Sequence, residues 1–118
     1  MTNAQTLALA PDVMTITDEV REALIDGRAV VALESTIISH GLPRPENLRV
    51  AAEVEDIVRS RGAVPATIAI LDGRVHVGLD ERLLEQVANR DDVVKVSVRD
   101  IATLVARDGS GATTVAAT

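Results

Sequence analysis

The sequence predicts a layered α/β/α sandwich, with helices on both faces of a sheet, and three observations point to it. Short apolar runs at residues 29–33 (AVVAL) and 67–71 (TIAIL) alternate with segments of helical period. Asp72-Gly73 stands between two β-prone runs, the strongest short signal for a hairpin, because both turn positions need positive φ. A further apolar segment opens after Gly111 with nothing following to close it, so the expected sandwich is incomplete, the amino-terminal part of a larger domain.

Taken in order, residues 1–13 lack a sustained period and read as a loose leader, leaving 14–118 as the domain portion. Thr17 is a hydroxyl N-cap, and Asp18 and Glu19 suit the positive end of a helix dipole. That helix has Val20, Ala23 and Leu24 on its apolar face and closes at Gly27. Residues 29–33, apolar on both faces, predict a strand covered on both sides. Two prolines and Gly41 make residues 34–45 a loop. Residues 46–61 predict a helix whose buried stripe is Val50, Val54, Ile57 and Val58, with Leu48 and Ala51 beside it. After the strand at 67–71 and its hairpin partner at 74–77 comes a helix from 80 to 88, capped by Asp80, with Leu83, Leu84 and Val87 inward. Residues 93–97 predict another strand, Asp100 caps a helix through Ala106, and residues 109–115 read as a flexible glycine turn.

Composition excludes several classes of function. The chain has 118 residues, no Cys and no aromatic residue, which removes disulfide scaffolds, thiolate metal sites, cysteine nucleophiles and aromatic stacking platforms. Its net charge is −6 and Lys95 is its only lysine, so nucleic acid is not an expected partner. The start of the chain has no basic region before an apolar stretch and no span of membrane length, so neither a signal peptide nor a membrane anchor is expected, and the default location is the cytoplasm.

Candidate chemistry is sparse. Glu34 follows an apolar strand at its carboxyl end, where open α/β sheets place ligand crevices. A carboxyl there, partly desolvated, has a raised pKa and suits proton donation; the plainer alternative is a strand-end Glu that reaches solvent or pairs with an arginine. Lys95, alternating against valines, is either a phosphate-holding point charge or a solvated edge lysine. The turn at 109–114 offers backbone N–H groups and hydroxyls to an anion, without the spacing of a P-loop. His76 is expected to be exposed in the hairpin, and His40 to face the crevice of Glu34; two histidines so spaced make no metal cluster.

Residues 31–41 (VALESTIISHG), 62–70 (GAVPATIAI), 95–100 (KVSVRD) and 111–116 (GATTVA) occur in an order and spacing that resembles the amino-terminal part of the pseudouridine-5′-phosphate glycosidases, the family that includes indigoidine-synthase-A-like proteins. The resemblance covers nearly everything after the leader. It implies an oligomeric, typically trimeric, manganese-dependent α/β/α enzyme that reversibly cleaves pseudouridine 5′-phosphate to uracil and ribose 5-phosphate. It also implies a lysine that forms a Schiff base with ribose C1, since a carbon leaving atom has no lone pair to protonate.

Carried over by motif, the proton donor falls on Glu34 and the substrate-binding lysine on Lys95. A substrate contact falls on Val115, through its backbone, with Thr113 and Thr114 adjacent; His40 receives no role. In the family the manganese-binding aspartate and the Schiff-base lysine follow the GATTVA segment, and no residue present is read as a metal ligand. The expectation is therefore an enzyme by family with little turnover from this chain alone. The alternative is a non-catalytic module for sugar-phosphate binding or assembly, completed by another chain.

Overall fold

The computed structural model describes residues 13–118. Its strands are β1 (Met14–Ile16), β2 (Val30–Leu33), β3 (Val64–Leu71), β4 (Arg74–Val77), β5 (Val93–Val96) and β6 (Ser110–Thr113). Its α-helices are α1 (Asp18–Ile25), α2 (Glu46–Ser60), α3 (Glu81–Asn89) and α4 (Ile101–Ala106), with a π-helical turn at Ile37–Gly41 and a 3-10 turn at Val98–Asp100. The loose leader expected over 1–13 lies outside the described residues except for Val13, whose carbonyl accepts from Val75 N at 2.8 Å. Sequence reading missed β1, which pairs parallel with β4 and brings Met14 opposite Val75.

The sheet runs β1-β4-β3-β6-β5, and β2 also pairs with β3. β3 alternates its side chains between two cores, as the period of two demands. Val64 and Ala66 pack with Val20 and Ala23 of α1, whereas Ala69 and Leu71 pack with Ala51 of α2 and Leu84 and Val87 of α3. Helices thus cover both faces, giving the predicted α/β/α layering. The hairpin forms as expected: Asp72 (φ 49°) and Gly73 (φ 80°) both take positive φ, and Ile70 pairs with Val75.

Several expectations are corrected. β2 is an edge strand rather than a buried one, because β3 is its one partner among the described strands; Val31 is 39% exposed. In α2 the predicted stripe is only partly inward: Val50 and Val58 are half-buried, whereas Val54 is 39% and Ile57 52% exposed. The face against the sheet is instead Asn47, Ala51 and Glu55, spaced i, i+4, i+8. Two of these are polar, and polarity hid the face from a hydrophobic count. Each has partners: Asn47 Nδ2 donates to Ile38 O (3.0 Å) and Ala88 O (2.7 Å), and the Glu55 carboxylate accepts from Thr67 Oγ1 (2.6 Å). Burial pushes the Glu55 pKa up, against the pull of the Thr67 hydrogen bond and of Arg59.

The loop at 34–45 contains a turn of π-helix; Asp100 stands at the N-cap of α4 as expected but makes no side-chain cap hydrogen bond there, and Ser97 caps the 3-10 turn before it. Asp100 reciprocates by accepting from Ser97 N at 3.1 Å, which completes a capping box. The glycine segment forms no flexible turn. Residues 110–113 are β6, buried between β3 and β5, so the backbone groups expected to cradle an anion lie in a central strand. Gly111 is there because a side chain does not fit: a Cβ would overlap Val96 Cγ2 and lie 2.6 Å from Leu104 Cδ2. Gly111→Ala is expected to lower stability by about 1–3 kcal/mol through overpacking, measurable as a shifted urea midpoint.

His76 is buried rather than exposed, since β4 is flanked by β1 and β3, and its Nδ1 has no hydrogen-bond partner among the described residues. Burial, with Arg74 adding repulsion, holds its pKa below the usual histidine value of 6.5. The folded state then carries fewer protons than the unfolded chain, so this contribution is fully present above pH 6.5 and is lost as pH falls toward the folded pKa. Denaturation between about pH 8 and about pH 5 is expected to show that decline. In His76→Leu the decline is expected to be shallower; an unchanged slope would contradict the assignment.

Candidate functional site

The site grows from an uncommon junction. β2 pairs parallel with β3 along Val64–Thr67, and β6 pairs antiparallel with it at Ala69 and Ile70. Successive residues of a strand point their backbone groups to alternate edges. Ile68 turns its carbonyl to the edge that both β2 and β6 occupy, where it accepts from Ser35 Oγ (2.7 Å) and Thr113 Oγ1 (2.8 Å). The two strands therefore meet carboxyl end to carboxyl end on one edge of β3. Ser35 N donates to Thr113 O (3.0 Å), and Thr113 N donates back to Ser35 Oγ (2.8 Å). β5 runs parallel to β6 and ends beside it, with Val96 opposite Thr113.

Glu34 is the residue immediately before this clasp. It is half-buried, and its Oε1 accepts from Ile37 N at 3.2 Å, which fixes the carboxylate over the start of the π turn. Beside it is a pocket of about 200 Å³, walled mainly by Leu33, Ile37, Ile38, Leu42, Val50 and Val54. The loop that follows is anchored on the carboxyl end of α3, whose terminal carbonyls lack partners within the helix. Ser39 Oγ donates to Val87 O (2.8 Å), and Arg44 Nε to Ala88 O (3.0 Å), beside the Asn47 amide. Arg44 also pairs with Asp91 at 2.9 Å. Nothing about these polar residues in the sequence signalled that they brace the segment after Glu34.

Lys95 is exposed on β5, opposite Ala112 of β6, and Thr36 Oγ1 donates to Ala112 O from the other side of that strand at 3.3 Å. The segment carrying Glu34 and the strand carrying Lys95 are thus one strand apart. Their side chains line different hollows: Lys95 shares a depression of about 250 Å³ with Ser97, Arg99, Asp100 and Thr114. Thr113 is fully buried, with its hydroxyl on Ile68 O and 2.9 Å from Thr118 Oγ1, so its side chain holds the strand end in place. Val115 follows with its side chain 80% exposed, and His40 is exposed in the π turn.

Ser35 and Arg99 were missed as site residues although both lie inside the quoted motifs; their presence there was the available signal. Among the described residues no group of three or more His, Asp or Glu side chains is placed to hold a metal ion. The described residues therefore do not fit a manganese centre. No described helix is long and apolar enough to cross a membrane.

Chemically, the arrangement offers a carboxyl group against an apolar wall and two cations with hydroxyls one strand away. That combination suits proton transfer to one end of a small molecule whose other end is anionic.

Comparison with known proteins agrees with the motifs. Residues 19–118 match the family described as indigoidine synthase A like protein. A pseudouridine-5′-phosphate glycosidase of Nocardioides is 62% identical over 105 residues, covering 89% of this chain and 34% of that protein. One from Arabidopsis thaliana is 61% identical over 104 residues, covering 87% of this chain and 32% of that protein. Among solved structures, the prealnumycin C-glycosynthase AlnA in complex with ribulose 5-phosphate superposes with TM-score 0.78 at 42% identity, over 91% of this chain and 34% of that one. An indigoidine synthase A-like protein of Thermotoga maritima superposes with TM-score 0.77 at 35% identity, over 90% of this chain and 34% of that one. The chain spans about a third of the length of the relatives it matches.

Proposed function

Because this chain belongs to the indigoidine synthase A-like family, we propose that it supplies the proton-donor and phosphate-facing portion of a pseudouridine-5′-phosphate glycosidase. The observation that carries the reading is the clasp of Ser35 and Thr113. It holds Glu34, at the carboxyl end of β2, one strand from Lys95 at the end of β5.

In this reading the carbon–carbon bond between uracil and ribose breaks, the uracil carbon takes a proton, and water adds at ribose C1, its oxygen staying there as ribose 5-phosphate is released. Glu34 delivers that proton from the apolar wall, where bulk water competes less for it. Lys95 and the backbone near Val115 hold the substrate. Thr113 fixes the strand end, and Thr114 adds a hydroxyl. The covalent step needs an amine, and Lys95, the only lysine here, matches the binding position rather than the nucleophile. That amine, and the aspartate for manganese, come in this reading from polypeptide outside residues 1–118. We also propose that the chain works as a homo-oligomer in the cytoplasm. The exposed Val31, Ile37, Val54 and Ile57 are consistent with a further covering surface.

The alternative, a non-catalytic sugar-phosphate-binding or assembly module, is favoured by one observation: no second lysine is present. Uracil release separates the two. Pseudouridine 5′-phosphate and manganese are offered to the chain alone, and to the chain co-expressed with the carboxyl-terminal two thirds of the Nocardioides relative. Turnover is expected only from the pair. No uracil from a pair that copurifies would favour the non-catalytic module, and manganese-dependent turnover by the chain alone would overturn the assignment of the amine to outside polypeptide.

A further inference from the structure

Among the described strands the sheet has three open edges, on β1, β5 and β2. An open edge invites pairing with another chain, and proteins guard it by brevity, a lysine or a proline. β1 has only three residues, and β5 carries Lys95. β2 has neither device: Val30–Leu33 is uncharged and contains no proline.

The direction of each β2 residue follows from one bond. Ala29 O accepts from Val64 N at 2.9 Å, so Ala29 faces β3. Backbone groups alternate between the two edges of a strand, so Val31 and Leu33 also face β3. The N–H and C=O groups of Val30 and Ala32 therefore face the open edge. Antiparallel pairing of two copies about a two-fold axis at Val31 sets Val30 opposite Ala32 of the second copy. Those two residues then exchange both of their backbone hydrogen bonds, once on each side of the axis.

The flanking charges choose this register. A centre at Val31 sets Arg28 opposite Glu34 of the second copy. A centre at Val30 would set Glu34 opposite Asp26, and a centre at Ala32 would set it opposite Val30. Arg28 is free to turn, since its side chain is 51% exposed and its contact with Asp26 is a long 3.7 Å. The helix above the strand adds apolar surface on one face. Leu33, which shares a face with Val31, lines a pocket together with Val54 of α2, and Val54 and Ile57 are both exposed. A two-fold axis perpendicular to the sheet keeps both copies of α2 on that face. The two helices then run antiparallel across the axis, where Val54 and Ile57, three positions apart, form an apolar ridge.

We propose that β2 is the interface for a second copy of this chain, paired antiparallel about Val31 and covered on one face by the two α2 helices. The proposal goes beyond the functional reading above, which gives that surface no occupant. A two-fold pairing closes at two copies, unlike the threefold assembly that the family resemblance implies. Arg28 of the second copy meets Glu34 at the rim. An exposed ion pair of this kind is weak, so it selects the register without displacing Glu34 from the Ile37 N–H.

Sedimentation velocity on the full chain over a wide range of concentration tests this, with circular dichroism to confirm the fold of each variant. The wild-type chain is expected to form a dimer on concentration, with the Val30 and Ala32 amides protected from hydrogen exchange in the dimer and open on dilution. Ala32→Pro removes a donor that faces the second copy and none that faces β3, and Val31→Lys puts like charges on the axis. Each is expected to weaken the dimer at least about a hundredfold. Arg28→Glu is expected to weaken it about tenfold, and Arg28→Glu combined with Glu34→Arg to recover most of that loss, which a general loss of stability would not allow. A wild-type monomer at every concentration overturns the interface together with the homo-oligomer reading. An oligomer unaffected by both Ala32→Pro and Val31→Lys overturns the interface and leaves that reading standing. Amides protected only when the carboxyl-terminal portion of the Nocardioides relative is co-expressed give the edge to that polypeptide and overturn the proposal. Uracil release by the co-expressed pair bears on the enzyme reading alone.

Discussion

Glu34→Gln is expected to reduce uracil release by the co-expressed pair by about 10²–10⁴-fold, the range that a positioned general acid contributes. The amide keeps an oxygen for the hydrogen bond from Ile37 N, now 3.2 Å from the carboxylate, so the π turn retains its start. Stability is expected to move by no more than about 0.5 kcal/mol, as for a substitution outside the core. Phosphate binding is expected to stay as it was, because Glu34 lines a different pocket from Lys95 and Thr114. The signature is a fall in kcat without a matching rise in KM. A raised KM with kcat unchanged would mean that Glu34 binds the substrate rather than protonating it.

Ser35→Ala is the second large effect, and it acts on structure first. Ser35 is fully buried, and its hydroxyl performs two tasks: it donates to Ile68 O at 2.7 Å and accepts from Thr113 N at 2.8 Å. Thr113 Oγ1 still serves Ile68 O in the variant, so that acceptor stays satisfied. The Thr113 N–H does not, and a buried donor left unpaired costs about 1–3 kcal/mol. A loss of about 2 kcal/mol corresponds to a fall in Tm of roughly 8 °C for a domain of this size. Turnover by the pair is expected to fall as well, because the clasp sets where β2 releases Glu34. A Tm within about 1 °C of wild type would show that the strand junction does not depend on this hydroxyl.

The legibility of the fold in the sequence follows from which signals are local. Caps and turns were readable because they are decided within a few residues. Thr17 accepts from Val20 N and Asp80 from Leu83 N as expected, and Asp72-Gly73 makes the hairpin. Burial was less readable, since it depends on what lies across the sheet. An all-apolar run at 30–33 reads as covered, yet it lies at an edge, and α2 turns Asn47 and Glu55 inward while Val54 and Ile57 face out. Periodicity located that helix and misassigned its face, because the polar residues inward have partners 9 to 41 positions away that no window contains. Residues 110–113 failed for the same reason: two small residues between Ser and Thr suggest a turn, but β3 and β5 supply the partners that make them a central strand.

The site was legible as motifs and not as geometry. The residues named from the sequence do gather around the carboxyl ends of β2, β5 and β6, where open sheets place ligands. That β2 and β6 face one another across Ile68 could not be foreseen, because the junction joins Ser35 and Thr113, 78 residues apart, through their hydroxyls and a backbone hydrogen bond. Ser35 and Arg99 were visible only as members of motifs, the first because its importance lies in a single buried hydrogen-bond pair, the second because an exposed arginine looks like any other.

The most direct measurement is a nuclear magnetic resonance titration of the isotopically labelled chain with ribose 5-phosphate, following the Glu34 carboxyl and the amides of Ile37, Lys95, Arg99 and Thr114 together. Concerted shifts on both sides of the sixth strand, saturating with one affinity, are what a single sugar phosphate spanning the strand ends produces. Shifts confined to the lysine side, or none at either, would mean that the acid and the cations do not serve the same molecule.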